Sequence, residues 1–204
     1  MMIDEAIFDV ETKKLFSEVE GSNPSLLGVS IVSVYLRTVD EQQNEIRGVM
    51  KSFWERELAL LWPLLSGVRR IIGFNSLKFD VPVLQPYSPT AFVRLPHFDI
   101  MSSVREALGH NLSLLTLVRE SLGESKVDSG VNAVAYWKSQ DPADLFKLQS
   151  YCESDVLLTR DLYDYGVRNK HLKYVDKWNN HKSFPVDFSY PKAVIDASRQ
   201  MGMF

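Results

Sequence analysis

The sequence predicts an α/β protein whose central sheet contains antiparallel and parallel strands, with helices packed on its faces. Three observations support this fold class. Three strand patterns open the chain, helix and strand patterns then alternate, and a helical block follows. An opening meander supplies antiparallel pairs, whereas strands separated by helices are typical of parallel pairing.

The opening strands are recognised by apolar runs and by alternation. Residues 6–10 form a short apolar run with β-branched side chains, which is typical of a buried strand. Residues 26–36 alternate apolar and serine positions, and the polar segment 40–44 suits a reversal into a third strand over 45–50. We therefore expect an antiparallel meander over the first fifty residues.

Helical spacing appears next, interrupted by two short strands. Residues 55–65 carry apolar side chains at helical spacing, while 70–74 and 97–99 suit short strands. Pro82 fits the first turn of a short helix. Three further helices are predicted over residues 112–122, 131–137 and 142–165. We expect Asp141 to cap the last of these.

Composition limits the classes of protein that the chain can belong to. The 204 residues are 45% hydrophobic and 24% charged, which are values of an ordinary globular domain. Disordered, collagenous and coiled-coil proteins are thereby excluded. The net charge is −3, whereas a protein that coats duplex DNA is normally basic. Any contact with nucleic acid must therefore be local, for example through bound metal ions.

The cysteine count and the N-terminus predict a cytoplasmic protein. Cys152 is the single cysteine, so no intrachain disulfide can form. The first twelve residues carry acids and only a short apolar run, unlike a signal peptide. No apolar stretch reaches the length of a membrane span, so we expect no membrane association.

The last forty residues differ in composition from the rest. Residues 166–204 contain seven basic and three acidic side chains, together with six aromatic ones. We expect residues 1–167 to form one domain and 168–204 to form a basic, aromatic extension. Charge and rings together suit binding to a single strand. Packing of the extension onto the domain and binding of a protein partner are the alternatives.

A pair of carboxylates closes the first strand. Asp9 and Glu11 are two residues apart, so both point to the same face of the strand. Two neighbouring carboxylates repel each other unless a cation lies between them, and Mg²⁺ prefers such oxygen ligands. The alternative is a solvated strand end, since this spacing is common.

Two further polar motifs lie later in the chain. Asn75 and Asp80 follow the strand at 70–74, where capping of a helix is the alternative to a functional role. Tyr151 and Asp155 are four residues apart on a helix and share one face. We expect the other acids of this helix, namely Glu153, Asp161 and Asp164, to be solvated.

Taken together, the three motifs resemble the DnaQ-like (DEDD) 3′–5′ exonuclease superfamily. They read FDVET, NSLKFD and YCESD, in that order. The Tyr-x-x-x-Asp form is similar to the tyrosine subgroup, which includes proofreading domains of family B DNA polymerases, stand-alone exonucleases like them, and RNase D-like enzymes. The histidine subgroup would have histidine where this chain has Ser150. The resemblance spans about residues 4–167.

The resemblance implies an RNase H-like fold with a mixed five-stranded sheet and two bound divalent metal ions, Mg²⁺ or Mn²⁺. It implies four metal ligands: Asp9, Glu11, Asp80 and Asp155. Asp9 would bridge both ions, Glu11 and Asp155 would complete one site, and Asp80 would serve the other. Tyr151 would orient the attacking water.

The implied substrate is the 3′ end of a single-stranded nucleic acid, with DNA favoured over RNA. Thr12, Asn75 and Phe79 are the candidate substrate contacts, although Phe79 fits a core position better. The alternatives are an RNase D-like RNA exonuclease, an endonuclease on the same fold, and a non-catalytic RNase H-like module that binds nucleic acid. Loss of metal ligands would favour the last, whereas all four acids are present here.

Overall fold

A five-stranded mixed sheet lies at the centre of the computed structural model, which describes residues 2–89, 92–124 and 132–191. Its strands are β1 (Ile3–Thr12), β2 (Val29–Val39), β3 (Glu45–Trp54), β4 (Arg70–Gly73) and β5 (His97–Asp99). Their order across the sheet is β3-β2-β1-β4-β5. The first three strands pair antiparallel, and β4 lies parallel to both β1 and β5. The predicted meander and the mixed α/β sheet are confirmed.

The central strand β1 is covered on both faces, which explains its apolar sequence. Phe8 and Val10 pack into a cluster on one face with residues of β2 and the short helices after β3. Ile7 points to the opposite face and packs with Val156 of the longest helix. Asp9 and Glu11 share the face of Ile7, because alternate strand residues point the same way.

Six α-helices are formed by the described residues. They are α1 (Trp62–Ser66), α2 (Asp80–Leu84), α3 (Ile100–Leu108), α4 (Leu114–Leu122), α5 (Ala133–Ser139) and α6 (Pro142–Asn169). The Asp141 side chain accepts a hydrogen bond from the Ala143 backbone at 2.8 Å, which confirms the predicted cap of α6. None of the helices in the described ranges is long and apolar enough to cross a membrane.

The predicted helix over residues 55–65 is divided in two. A 3₁₀ segment covers Glu55–Leu60, and α1 begins only at Trp62. Pro63 is the reason, because a proline cannot donate to the carbonyl four residues earlier and its ring clashes with it. Helix α3 was not predicted. The Asp99 side chain, which accepts from the Met101 backbone N–H at 2.9 Å, caps its start.

The described part of the C-terminal extension folds against the domain. Strands β6 (His171–Val175) and β7 (His181–Pro185) form a hairpin, and residues 186–191, here called the C-terminal strap, run back along α6. The buried Arg70 of β4 donates hydrogen bonds to the carbonyl oxygens of Phe188 (2.7 Å) and Ser189 (2.9 Å). The strap is therefore held by the central sheet.

One acid of α6 that was expected to be solvated lies in a buried ionic network. Asp164 accepts two hydrogen bonds from the Arg37 guanidinium, at 2.8 and 2.9 Å. Arg37 also donates to the buried Glu5 at 2.8 Å, and the Tyr190 hydroxyl of the strap donates to the same carboxylate. The expectation for Asp164 was wrong because its partner, Arg37, lies far away in sequence.

Gly166 of α6 lies directly under the strap. The Phe188 ring stacks on Tyr163 with centroids 5.6 Å apart, and a Cβ on Gly166 would overlap that ring. Phe188 is fully buried and cannot swing away.

We expect Gly166→Ala to lower the free energy of unfolding by about 1–3 kcal/mol through overpacking. Helix propensity alone predicts the opposite sign, a gain of about 1 kcal/mol. Gly67→Ala is the matched control, since a Cβ there meets nothing within 4 Å. Denaturant unfolding of the three proteins checks this, and a Gly166→Ala variant as stable as wild type would contradict the close packing of the strap.

Candidate metal centre

Three carboxylates from two elements converge at the carboxyl end of β1. Asp9 and Glu11 come from the strand, and Asp155 comes from α6, which crosses the same face. One carboxylate oxygen from each of the three lies within 4.8 Å of the other two. The predicted pairing of Asp9 with Glu11 on one face is therefore present, and α6 adds a third acid to it.

Asp80 lies beside this triad. A hydrogen bond anchors it to β1, the strand that carries Asp9 and Glu11. Asp80 is the first residue of α2 and is 4% exposed. Its Oδ1 accepts a hydrogen bond from the backbone N–H of Val10 at 3.0 Å. The parallel pairing of β4 with β1 carries the start of α2 to this position. The rest of α2 packs in the cluster of Phe8 and Val10, whereas α6 packs in the cluster of Ile7 on the other face.

Burial and mutual repulsion raise the pKa values of these acids. Burial, and then repulsion from Asp155 and Asp80, raises the pKa of Glu11 to about 8. Burial is also the main cause that raises the pKa of Asp80 to about 7. The pKa of Asp9 lies well above its usual value for the same two reasons, and burial raises that of Asp155. A divalent cation would relieve this repulsion, and carboxylate oxygens suit Mg²⁺ or Mn²⁺.

Tyr151 lies one helical turn before Asp155 on α6, so the two side chains share one face of the helix, as their spacing predicts. Burial and the negative charge of Asp155 raise the pKa of the Tyr151 hydroxyl far above its usual value. The phenol is therefore neutral at pH 7 and has the Asp155 carboxylate beside it.

Cys152 lies next to Asp9, a contact that was not predicted. Its thiol is fully buried and lies 3.6 Å from both the backbone oxygen and the Oδ2 of Asp9. Neighbouring helix residues face different directions, so the sequence alone associates Cys152 with neither Tyr151 nor the acids. The thiol is a small side chain that fills the space below the triad.

Asp99 is a further buried carboxylate near the site, and its role was also missed. Its Oδ1 accepts from the Asn75 backbone N–H at 2.8 Å, and its Oδ2 accepts from that of Leu77 at 3.2 Å. Asp99 therefore fixes the loop that leads into α2 and Asp80. No sequence signal separates it from an ordinary helix cap, because the donors lie more than twenty residues away.

The three candidate substrate contacts occupy different environments. The Thr12 hydroxyl is buried and donates to the Lys14 carbonyl at 3.0 Å. The Asn75 side-chain oxygen accepts from Arg105 at 3.3 Å, and its backbone has a φ of 61°. Phe79 packs against the core, edge to face with Phe16 at 5.9 Å. The preference for a core position of Phe79 agrees with this packing.

Comparison with known families gives one match. A model of the RNase_H superfamily matches residues 6–167, which is most of the chain. No curated protein matches the chain. The mixed five-stranded sheet with flanking helices agrees with the RNase H-like fold that the motifs imply, so this prediction is confirmed.

The raised pKa values predict how stability depends on pH without metal. Between the unfolded pKa, near 4, and the folded values of about 7 and 8, the native state binds more protons than the unfolded state. The free energy of unfolding should therefore fall as the pH rises from about 5 to about 8. Glu11→Gln should reduce that fall by at least about 1.4 kcal/mol, the equivalent of one pKa unit.

Urea unfolding in chelator at several pH values measures this difference. Glu120→Gln is a control, because the pKa of Glu120 is lowered rather than raised. Parallel pH profiles for wild type and Glu11→Gln would contradict the crowding of charge at this site.

The hydrogen bonds of Asp99 lead to a second expectation. Asp99→Asn replaces an acceptor by an amide NH₂ that must face a backbone N–H. We expect it to destabilise the fold by about 1–3 kcal/mol, the cost of a buried unpaired group. Asp187→Asn is a surface control, since Asp187 accepts from Ser189 in an exposed turn. Thermal unfolding checks both variants, and equal stability of Asp99→Asn and wild type would argue against this role.

Proposed function

Because the chain belongs to the RNase H superfamily, we propose that it is a metal-dependent 3′–5′ exonuclease. The observation that carries this proposal is the triad of Asp9, Glu11 and Asp155, whose oxygens lie within 4.8 Å of one another. The neutral phenol of Tyr151, which lies close to the charge of Asp155, supports it further.

The proposed ligands divide between two divalent ions, Mg²⁺ or Mn²⁺. Asp9 would be a ligand of both ions, Glu11 and Asp155 would hold the first, and Asp80 would hold the second. When bound, such a pair supplies a hydroxide near neutral pH and stabilises the leaving 3′ oxygen of a phosphodiester. The protein's contribution is to hold four carboxyl groups near one another, with raised pKa values, before the ions arrive.

Tyr151 is proposed to position the attacking water rather than to remove its proton. A phenol whose pKa lies above 10 is a poor base at pH 7. Its position one helical turn before Asp155 brings the hydroxyl near a proposed metal ligand. From there the phenol oxygen can accept a hydrogen bond from the water.

The proposed substrate is the 3′ end of a single strand, with DNA favoured and RNA as the RNase D-like alternative. Thr12, Asn75 and Phe79 stay the proposed contacts of the terminal nucleotide. A protein partner bound through residues 168–204 also stays a prediction. The hairpin and the strap already pack on the domain, so such a partner would meet their outer surface.

We expect Asp9→Asn and Asp155→Asn each to abolish Mg²⁺-dependent release of nucleotides while the fold is retained. Asp161→Asn is the matched control, because Asp161 lies on the same helix and pairs with Arg160. The assay compares single-stranded DNA and RNA labelled at either end, together with a circular strand. Degradation of the circle would identify an endonuclease. Binding without any hydrolysis by wild type would identify the non-catalytic alternative.

Tyr151→Phe should lower kcat by about 10- to 100-fold and leave KM nearly unchanged, because the lost group positions water and binds no substrate. Tyr136→Phe on α5 is the control. Steady-state kinetics on a short oligonucleotide separate the two constants. An unchanged kcat would remove Tyr151 from the proposed mechanism.

A further inference from the structure

Two tryptophans lie at the same end of the sheet as the acids. Glu11 of β1 is paired with Ile31 of β2, and Ile31 is paired with Trp54 of β3. Paired residues of neighbouring strands point to the same face, so Trp54 and Glu11 share one face and one row. Two strand spacings separate their backbones, a distance of about 10 Å.

Helix α5 places a second indole on the first. The rings of Trp54 and Trp137 stack with centroids 6.1 Å apart and an angle of 28°. Both side chains are half-buried and pack on a small cluster that contains Cys152, the residue below Asp9. The indole pair is therefore continuous with the floor of the acidic site.

A pocket opens beside this indole pair. Its volume is about 260 Å³, and its lining residues are Trp54, Glu55, Arg56, Trp137, Gln140 and Leu145. Pockets that enclose a drug-sized ligand measure about 300–1,000 Å³, so this one suits a single planar group. Aromatic walls favour a ring that can stack on them.

The charges around the pocket favour a group attached to phosphate. The two carboxylate oxygens of Glu55 accept hydrogen bonds from the Lys13 ammonium and the Tyr87 hydroxyl, the latter at 2.8 Å. The negative charge of Glu55 is thus offset within the protein. Arg56 is exposed at the rim. The Lys13 ammonium, whose charge is balanced by Glu55, also lies 5.2 Å from the centroid of the Trp137 ring.

We propose that the Trp54–Trp137 pocket is a stacking subsite for one unpaired nucleobase of the strand whose 3′ end lies at the acids. The inference rests on the proposed function for the direction of the strand. Stacking does not distinguish between bases, so the subsite favours single strands without sequence preference. A base in a duplex is already stacked and paired, and it is not available to the pocket.

Binding of oligonucleotides with single abasic positions tests the subsite. All proteins carry Asp155→Asn, so that the strand is not degraded. Hexathymidylate is compared with the same strand lacking one base, at each position from the 3′ end, by fluorescence anisotropy. We expect one internal abasic position to weaken binding to the protein with an intact pocket by about 10-fold.

Trp137→Ala should weaken binding of intact hexathymidylate by a similar factor. Removal of the base at that position should then weaken binding to the Trp137→Ala variant no further. Trp137→Phe keeps an aromatic face and should restore most of the affinity. Phe146→Ala is the control, since Phe146 is 70% exposed on α6 and does not line the pocket. Thermal unfolding verifies that each variant is folded, and Trp137→Leu, which fills the space without an aromatic face and should lose the same affinity, replaces Trp137→Ala if that variant is not.

Two results would overturn the subsite. In one, the loss of affinity from an abasic position and the loss from Trp137→Ala add at every position. In the other, both Trp137 variants bind intact hexathymidylate as tightly as the protein with an intact pocket. The proposed function fails separately, when the protein with Asp155 intact binds the strand and releases no nucleotides. If the losses of affinity are non-additive at one position but the protein with Asp155 intact hydrolyses no strand, the chain is a binding module that uses the same pocket.

Discussion

Mutual repulsion among buried carboxylates at the end of β1 is the constraint on which the rest of the structure depends. Asp9, Glu11 and Asp155 approach within 4.8 Å, and Asp80 is fixed beside them by the backbone of Val10. Such a cluster opposes folding unless protons or cations occupy it. The packing around it must therefore offset that cost.

Several interactions hold the acids in place against this repulsion. The two faces of β1 are covered, so the strand cannot twist its carboxylates apart, and the Cys152 thiol fills the space below Asp9. Asp99 fixes the loop before α2 through backbone hydrogen bonds. At the other end of the sheet, Arg70 fastens the strap onto β4 and α6. The hairpin and strap thereby support the helix that carries Asp155.

Local spacing was enough to predict part of this site from the sequence. The i, i+2 relation placed Asp9 with Glu11, and the i, i+4 relation placed Tyr151 with Asp155. The position of Asp80 depends on β4 lying parallel beside β1, which local patterns do not specify and only the family resemblance implied. The roles of Asp99 and Arg70 depend on partners distant in sequence.

The net charge of −3 has a local explanation in this account. Four of the acidic side chains are the proposed ligands, and two divalent ions would neutralise about four negative charges. The metal-loaded protein would then carry a slightly positive charge and no longer repel a phosphate backbone. Mild acidity of the free chain is thus compatible with a nucleic-acid substrate.

The central claim is that these four acids together hold divalent cations. Anomalous diffraction from crystals soaked in Mn²⁺ tests it most directly, because the peaks identify the metal and its ligands without reference to activity. We expect two peaks between Asp9, Glu11, Asp80 and Asp155, with Asp9 contacting both. The absence of any peak at the carboxyl end of β1, at saturating Mn²⁺, would contradict the claim that these acids bind metal.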